Sequence, residues 1–175
     1  MVFNETPLAG AYFIDLEPHH DDRGFFARSF CQREFEAHGL NASVAQCNLS
    51  YNSKAGTVRG LHYQRAPTRE AKLVRCIRGA ILDVIVDCRP PSPTYGRHLA
   101  VELTAANRRA LFVPEDFAHG FQTLLDDCEV EYQMSEFYQA GSGAGFRYDD
   151  PALAITWPLP VTRISEQDLS WPFFS

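Results

Sequence analysis

Short segments of alternating polar and apolar residues, each closed by a turn, dominate this chain. That period-2 pattern constrains the fold more than any other feature, because successive side chains of a strand point to opposite faces. The pattern predicts strands near 10–16, 25–30, 44–50, 57–64, 72–77, 80–88, 98–104, 109–113, 119–125 and 128–134. A single short helix is predicted over 32–38, where QREFEAH carries good helix formers. The stretch RPPSPTYGR at 89–97 reads as a loop, since three prolines and a glycine cannot continue a ladder. About ten strands with almost no helix predict an all-β fold, a jelly-roll barrel or sandwich of antiparallel strands with a few short helices.

The alternation also assigns faces. In GAILDVIVDC, Leu82, Val84 and Val86 share one face, while Asp83 and Asp87 share the other with Ile81 and Ile85. Lys72 goes with Val74 and Cys76, opposite Arg75. Tyr132 goes with Cys128 and Val130, opposite Glu129 and Glu131. His62 goes with Val58, Gly60 and Gln64. A lysine, a tyrosine and a histidine each fall on the less charged side of a strand, the side expected to face the interior. A lysine there is costly unless solvated or paired, so the pattern points to a cavity with chemistry in it.

Length and charge narrow the options. The 175 residues suit one domain, 1–175, with a sizeable core. Sixteen Lys and Arg against twenty-two Asp and Glu give a net charge of -6, which disfavours nucleic acid and anionic membranes as partners. An anionic ligand would need a few local arginines and lysines. Apolar runs fall far short of the roughly 20 residues that span a bilayer, and no signal peptide is visible. Five cysteines without a CxxC pair fit reduced thiols in a cytoplasmic protein.

Each candidate residue carries a chemical and a structural reading. His62 is a general base or a satisfied structural histidine. Asp168 orients such a histidine, or is a helix-start or surface carboxylate. Lys72 stabilises an oxyanion or snorkels at an edge. Tyr132 is a general acid or a core tyrosine. His119 is a ligand, an orienter of His62 or structural. Asp83 pairs with Lys72 or lies on a wet face. Arg23 and Arg59 suit bidentate phosphate contacts or are simply solvated, and Tyr138 stacks on a base or packs. As a metal site, His62, Gln64, Glu70 and His119 form a thin set, because an amide stands where a second histidine would serve.

Several motifs in order carry a resemblance. They are Asp22-Arg23-Gly24-Phe25-Phe26, Gln46-Cys47-Asn48-Leu49-Ser50, Val58-Arg59-Gly60-Leu61-His62-Tyr63-Gln64, Lys72-Leu73-Val74, Asp83 to Arg89 with Ser92-Pro93-Thr94-Tyr95-Gly96, Phe117-Ala118-His119-Gly120-Phe121, Asp149-Asp150-Pro151 and Ile155-Thr156-Trp157-Pro158. Over roughly 10–172 the chain resembles the dTDP-4-dehydrorhamnose 3,5-epimerase family of nucleotide-sugar epimerases. The resemblance implies a cupin-type jelly roll, no metal, no cofactor, and a homodimer that exchanges N-terminal strands. It implies His62 as general base with Asp168 as partner, Lys72 as oxyanion stabiliser and Tyr132 as the acid on the opposite sugar face. His119 and Asp83 are implied as supporting residues. Arg23, Phe26, Gln46, Asn48, Arg59 and Tyr138 are implied to hold the nucleotide diphosphate, Arg23 from the partner subunit.

The implied reaction inverts one or both carbons of a nucleotide-diphosphate 4-keto-6-deoxy sugar by proton abstraction next to the C4 ketone and reprotonation on the other face. Departures fall on the binding rim: Arg28 and Gly143 stand where the family often has Glu, Tyr148 where it often has Trp, and Ala140 where it often has Pro. A metal-dependent cupin oxygenase and a non-catalytic sugar-binding jelly roll are the rival readings.

Overall fold

The computed structural model describes residues 1–174. In chain order its elements are β1 (Val2–Glu5), β2 (Tyr12–Asp15), β3 (His19–Asp21), β4 (Gly24–Phe26), α1 (Gln32–Ala37), β5 (Gln46–Asn52), β6 (Val58–Gln64) and β7 (Lys72–Arg78). Then come β8 (Ala80–Asp87), β9 (His98–Thr104), β10 (Ala110–Val113), β11 (Phe117–Thr123), β12 (Cys128–Met134), β13 (Gly143–Gly145) and α2 (Glu166–Ser170). One sheet runs β1-β2-β10-β7-β12-β5 and the other β13-β6-β11-β8-β9, while β3 and β4 pair with each other as a separate hairpin. Neighbouring strands are antiparallel throughout. The predicted antiparallel sandwich is therefore what forms.

Three apolar layers follow from the alternation. Between the sheets, Val74 and Cys76 of β7 and Cys128 and Val130 of β12 pack against Ile81 and Ile85 of β8 and Phe117 and Phe121 of β11. Outside the first sheet, Phe35 of α1 covers Ile14, Leu73 and Phe112. Outside the second, Val84 and Val86 lie under Leu153, Trp157 and Phe174 of the C-terminal segment. Both faces of β8 are thus covered, which is why that strand reads as apolar on both sides.

The predicted helix and the middle strands appear with edges shifted by a few residues. The strand expected over 25–30 is shorter, ending at Phe26. The 89–97 loop is held from inside: the buried Asp87 carboxylate accepts from Arg89 at 2.8 Å, Ser92 Oγ at 2.5 Å and Thr94 Oγ1 at 2.6 Å. β1, β3, β13 and α2 were not predicted. They are three to five residues long, too short for a period to show.

Candidate active site

A cavity of about 630 Å³ opens between the two sheets. Strands of both sheets supply its walls. Gln46, Asn48 and Ser50 of β5 line one side with Tyr132 of β12, and the register sets Tyr132 directly beside Asn48. Lys72 stands at the start of β7, paired with Met134. On the opposite sheet, His62 of β6 and His119 of β11 are cross-strand neighbours. The expectation that the histidine, lysine and tyrosine faces point inward therefore holds.

Two glycines permit this meeting of β6 and β11. A Cβ on Gly60, whose φ is +107°, would lie 2.5 Å from the His119 carbonyl, and one on Gly120 would lie 2.6 Å from the Arg59 carbonyl. The register shifts at this point. The glycine after His119 thus marks a close backbone approach.

Asp168 reaches the cavity from the far end of the chain. Arg163 bridges Thr57 in parallel, and its carbonyl accepts the Val58 amide at 2.8 Å, so the C-terminal segment lies along the start of β6. Ser165 then caps α2 by accepting the Asp168 amide at 3.0 Å. Asp168 is a helix-start carboxylate and a cavity residue at once. Its Oδ1 lies 3.5 Å from His62 Nε2 and accepts from Trp171 Nε1 at 3.3 Å, and its Oδ2 accepts the Gly60 amide at 3.3 Å. Burial pushes this carboxyl up, but the His62 imidazole, the Gly60 amide and Ser165 outweigh it, so Asp168 sits below the usual carboxylate range.

Asp83 departs from both readings given above. It is fully buried and does not meet Lys72; its Oδ1 lies 2.7 Å from His119 Nε2. The wet face does not exist, because Ile81 and Ile85 beside it fill the space between the sheets. The carboxylate paired with Lys72 is instead Glu70, at 3.1 Å. His119 in turn meets the Tyr132 ring edge-on at 5.9 Å. Burial, with the Asp83 charge adding to it, pushes the Tyr132 hydroxyl far above its ordinary value, so it stays protonated as a donor.

Arg59 and Tyr138 line the same cavity. Arg59 Nε donates to Asn52 Oδ1 at 2.7 Å, and Gln46 Oε1 accepts the Tyr138 amide at 3.0 Å. Arg23 and Phe26 are not brought there. They lie on the β3–β4 hairpin, with the Arg23 side chain 85% exposed against its own Asp21 and Phe26 76% exposed. Gly143 is at the rim, and Arg28 is occupied by Glu34 at 2.7 Å. Glu70, named above only in the thin metal set, lines the cavity as the partner of Lys72, while Trp171 and Gln167 were missed as cavity residues. Nothing in the spacing of Trp171 and Gln167 marks them, since the C-terminal segment delivers them.

The thin metal set does not assemble. Gln64 is consumed by hydrogen bonds to the 137–142 segment and Glu70 by Lys72. Among the described residues no three His, Cys, Asp or Glu side chains gather at metal-binding spacing.

The family model described as dTDP-4-dehydrorhamnose 3,5-epimerase matches residues 5–175. The dTDP-4-dehydrorhamnose 3,5-epimerase of Methanothermobacter thermautotrophicus is 44% identical over 97% of this chain and 92% of its own. Among solved structures, the Bacillus anthracis enzyme of the same name, with TDP and PPi bound, superimposes with a TM-score of 0.95 at 40% identity over 99% of both chains. The Legionella pneumophila dTDP-6-deoxy-D-glucose-3,5-epimerase, in complex with dTDP-4-keto-L-rhamnose, gives 0.91 at 34% identity over 98% of this chain and 92% of its own.

Proposed function

The chain belongs to the dTDP-4-dehydrorhamnose 3,5-epimerase family, and we propose how its cavity performs that family's chemistry on a dTDP-linked 4-keto-6-deoxy sugar. The fold is the cupin-type jelly roll of these epimerases, and the chain is an isomerase. The observation that carries the mechanism is one cavity holding an imidazole backed by a carboxylate, an ammonium, and a phenol from the facing sheet.

A C–H bond next to a ketone is weakly acidic until the enolate oxygen is stabilised. Lys72 supplies that stabilisation, worth about 3 kcal/mol by comparison with an oxyanion-hole donor. His62 takes the proton, and Asp168 fixes its orientation and favours its cationic form. Inversion needs a proton delivered to the other face of the sugar. Tyr132 lies on the opposite sheet from His62 and stays protonated, which suits it to that delivery. His119 and Asp83 buttress the wall between them. The substrate's own carbonyl acidifies the bond, so the mechanism uses no cofactor or metal.

Gln46, Asn48, Arg59 and Tyr138 sit where a nucleotide diphosphate would enter. Arg23 and Phe26 complete the site from a second copy of the chain, in a homodimer with exchanged N-terminal strands. The free-standing hairpin supports this, as do the exposed Leu49 and Tyr51 on the outer face of β5. One domain over 1–175 and a cytoplasmic location fit the two-sheet core and the five free cysteines. No helix is long and apolar enough to cross a membrane.

The reaction is tested by NMR of dTDP-4-keto-6-deoxyglucose in deuterated water. Deuterium should enter at C3 and C5 with the wild type and at neither with His62→Ala. Exchange by His62→Ala at the wild-type rate would overturn the assignment of the base. Exchange confined to C3 would make the enzyme a 3-epimerase.

A further inference from the structure

Lys72 does not stand free in the cavity. Its Nζ lies 3.1 Å from Glu70 Oε1 and donates to the His62 carbonyl at 3.3 Å. The two paired side chains are 6% and 7% exposed. An ammonium has three N–H groups, so these contacts leave one for a ligand. The second Glu70 oxygen accepts from Gln64 Nε2 at 3.0 Å. Gln64 is itself saturated. The two N–H groups of its Nε2 also have the carbonyls of Thr68 and Phe137 within reach, and its Oε1 accepts from the Gln139 amide at 2.8 Å and from Ser142 Oγ at 3.0 Å. One amide thus ties the segment carrying Tyr138 to Glu70, and Glu70 to Lys72.

A buried carboxylate offers a diphosphate nothing to bind and partly cancels the lysine's charge. What it supplies is geometry. A lysine side chain has four flexible methylenes, and two anchors on one Nζ hold it at a fixed place relative to the main chain of the base.

We propose that Glu70 is a positioning residue for the epimerisation: it locks the Lys72 ammonium against the His62 main chain, and Gln64 locks Glu70 in turn. This rests on the reading of Lys72 as the group that stabilises the enolate oxygen. The effect is on the chemical step rather than on nucleotide affinity, because Glu70 gives the substrate nothing to bind.

The test compares Glu70→Ala, Glu70→Gln and Lys72→Ala, reading kcat for deuterium entry into dTDP-4-keto-6-deoxyglucose and the Kd of dTDP by calorimetry. Glu70→Ala should lower kcat by ~10²-fold, the scale of a misplaced catalytic group. Glu70→Gln retains an acceptor for the ammonium and should recover part of that loss. Both should bind dTDP within about twofold of the wild type, a shift well under 1 kcal/mol. An unchanged kcat in Glu70→Ala beside an inactive Lys72→Ala would overturn the positioning role alone. Loss of kcat and dTDP affinity together would also overturn it, by showing a general collapse of the pocket. Wild-type exchange by Lys72→Ala would overturn the reading beneath it, and the proposal with it.

Discussion

His62 Nε2 and Asp168 Oδ1 stand 3.5 Å apart, and the other oxygen of the same carboxylate holds the amide of Gly60, two residues before the histidine. Asp168 therefore grips the strand as well as the ring. His62→Ala should lower deuterium entry by about 10²- to 10⁴-fold, the range of a lost general base. Asp168→Asn should lower it less, because the ring remains. Calorimetry with dTDP should show little change for His62→Ala, and a parallel loss of binding would contradict its role in chemistry.

Tyr132→Phe should separate abstraction from inversion. The buried hydroxyl is held in its protonated form, so its removal deletes the donor and spares the base. Deuterium should still enter the substrate from the His62 side, while formation of the inverted sugar falls by roughly 10²-fold. Equal loss of both signals by NMR would count against two separate groups.

Arg23 offers a test of shared sites. Its side chain is 85% exposed in its own chain, so Arg23→Ala should leave thermal stability unchanged. If it contacts diphosphate in a partner's cavity, KM should rise about tenfold, the scale of one charge-assisted hydrogen bond. Refolding this variant together with His62→Ala should regenerate sites intact in both residues and recover activity at low substrate. No recovery from the mixture would place Arg23 outside the neighbouring cavity.

Asp87 governs acid stability away from the site. Burial pushes its carboxyl up, but Arg89, Ser92 and Thr94 outweigh that and hold it far below the usual range. A carboxylate depressed in the folded state contributes fully above its unfolded value near ~4, and that contribution is lost as pH falls through the folded value. Asp87→Asn should cost about 3 kcal/mol at neutral pH, and the gap to wild type should narrow below about pH 4. Urea melts across that range would show it, and a gap independent of pH would contradict it.

What could be read before the structure followed from periodicity. The inward faces of β6, β7 and β12, and with them His62, Lys72 and Tyr132, were legible because each strand is long enough to alternate several times. Asp168 was a different matter. Its placement depends on a single parallel bridge between Thr57 and Arg163, which leaves no local pattern, and only the family resemblance brought it to the site. Asp83 was misjudged because alternation reports a face and not its depth: the same face holds Ile81 and Ile85, which exclude water from it. Trp171 escaped because it sits in no strand of the cavity wall, and Glu70 was read as a metal ligand rather than as the partner of Lys72.

The C-terminal segment is fastened outside the strand ladders, by backbone contacts of Thr57 and Arg163, by Arg147 to the carbonyls of Leu169 and Pro172, and by Phe174 packed over Val84 and Val86. A clip between residues 158 and 162 would therefore leave the ladders of both sheets untouched. It would make the carboxylate behind His62 a detachable part, seated by noncovalent contacts alone.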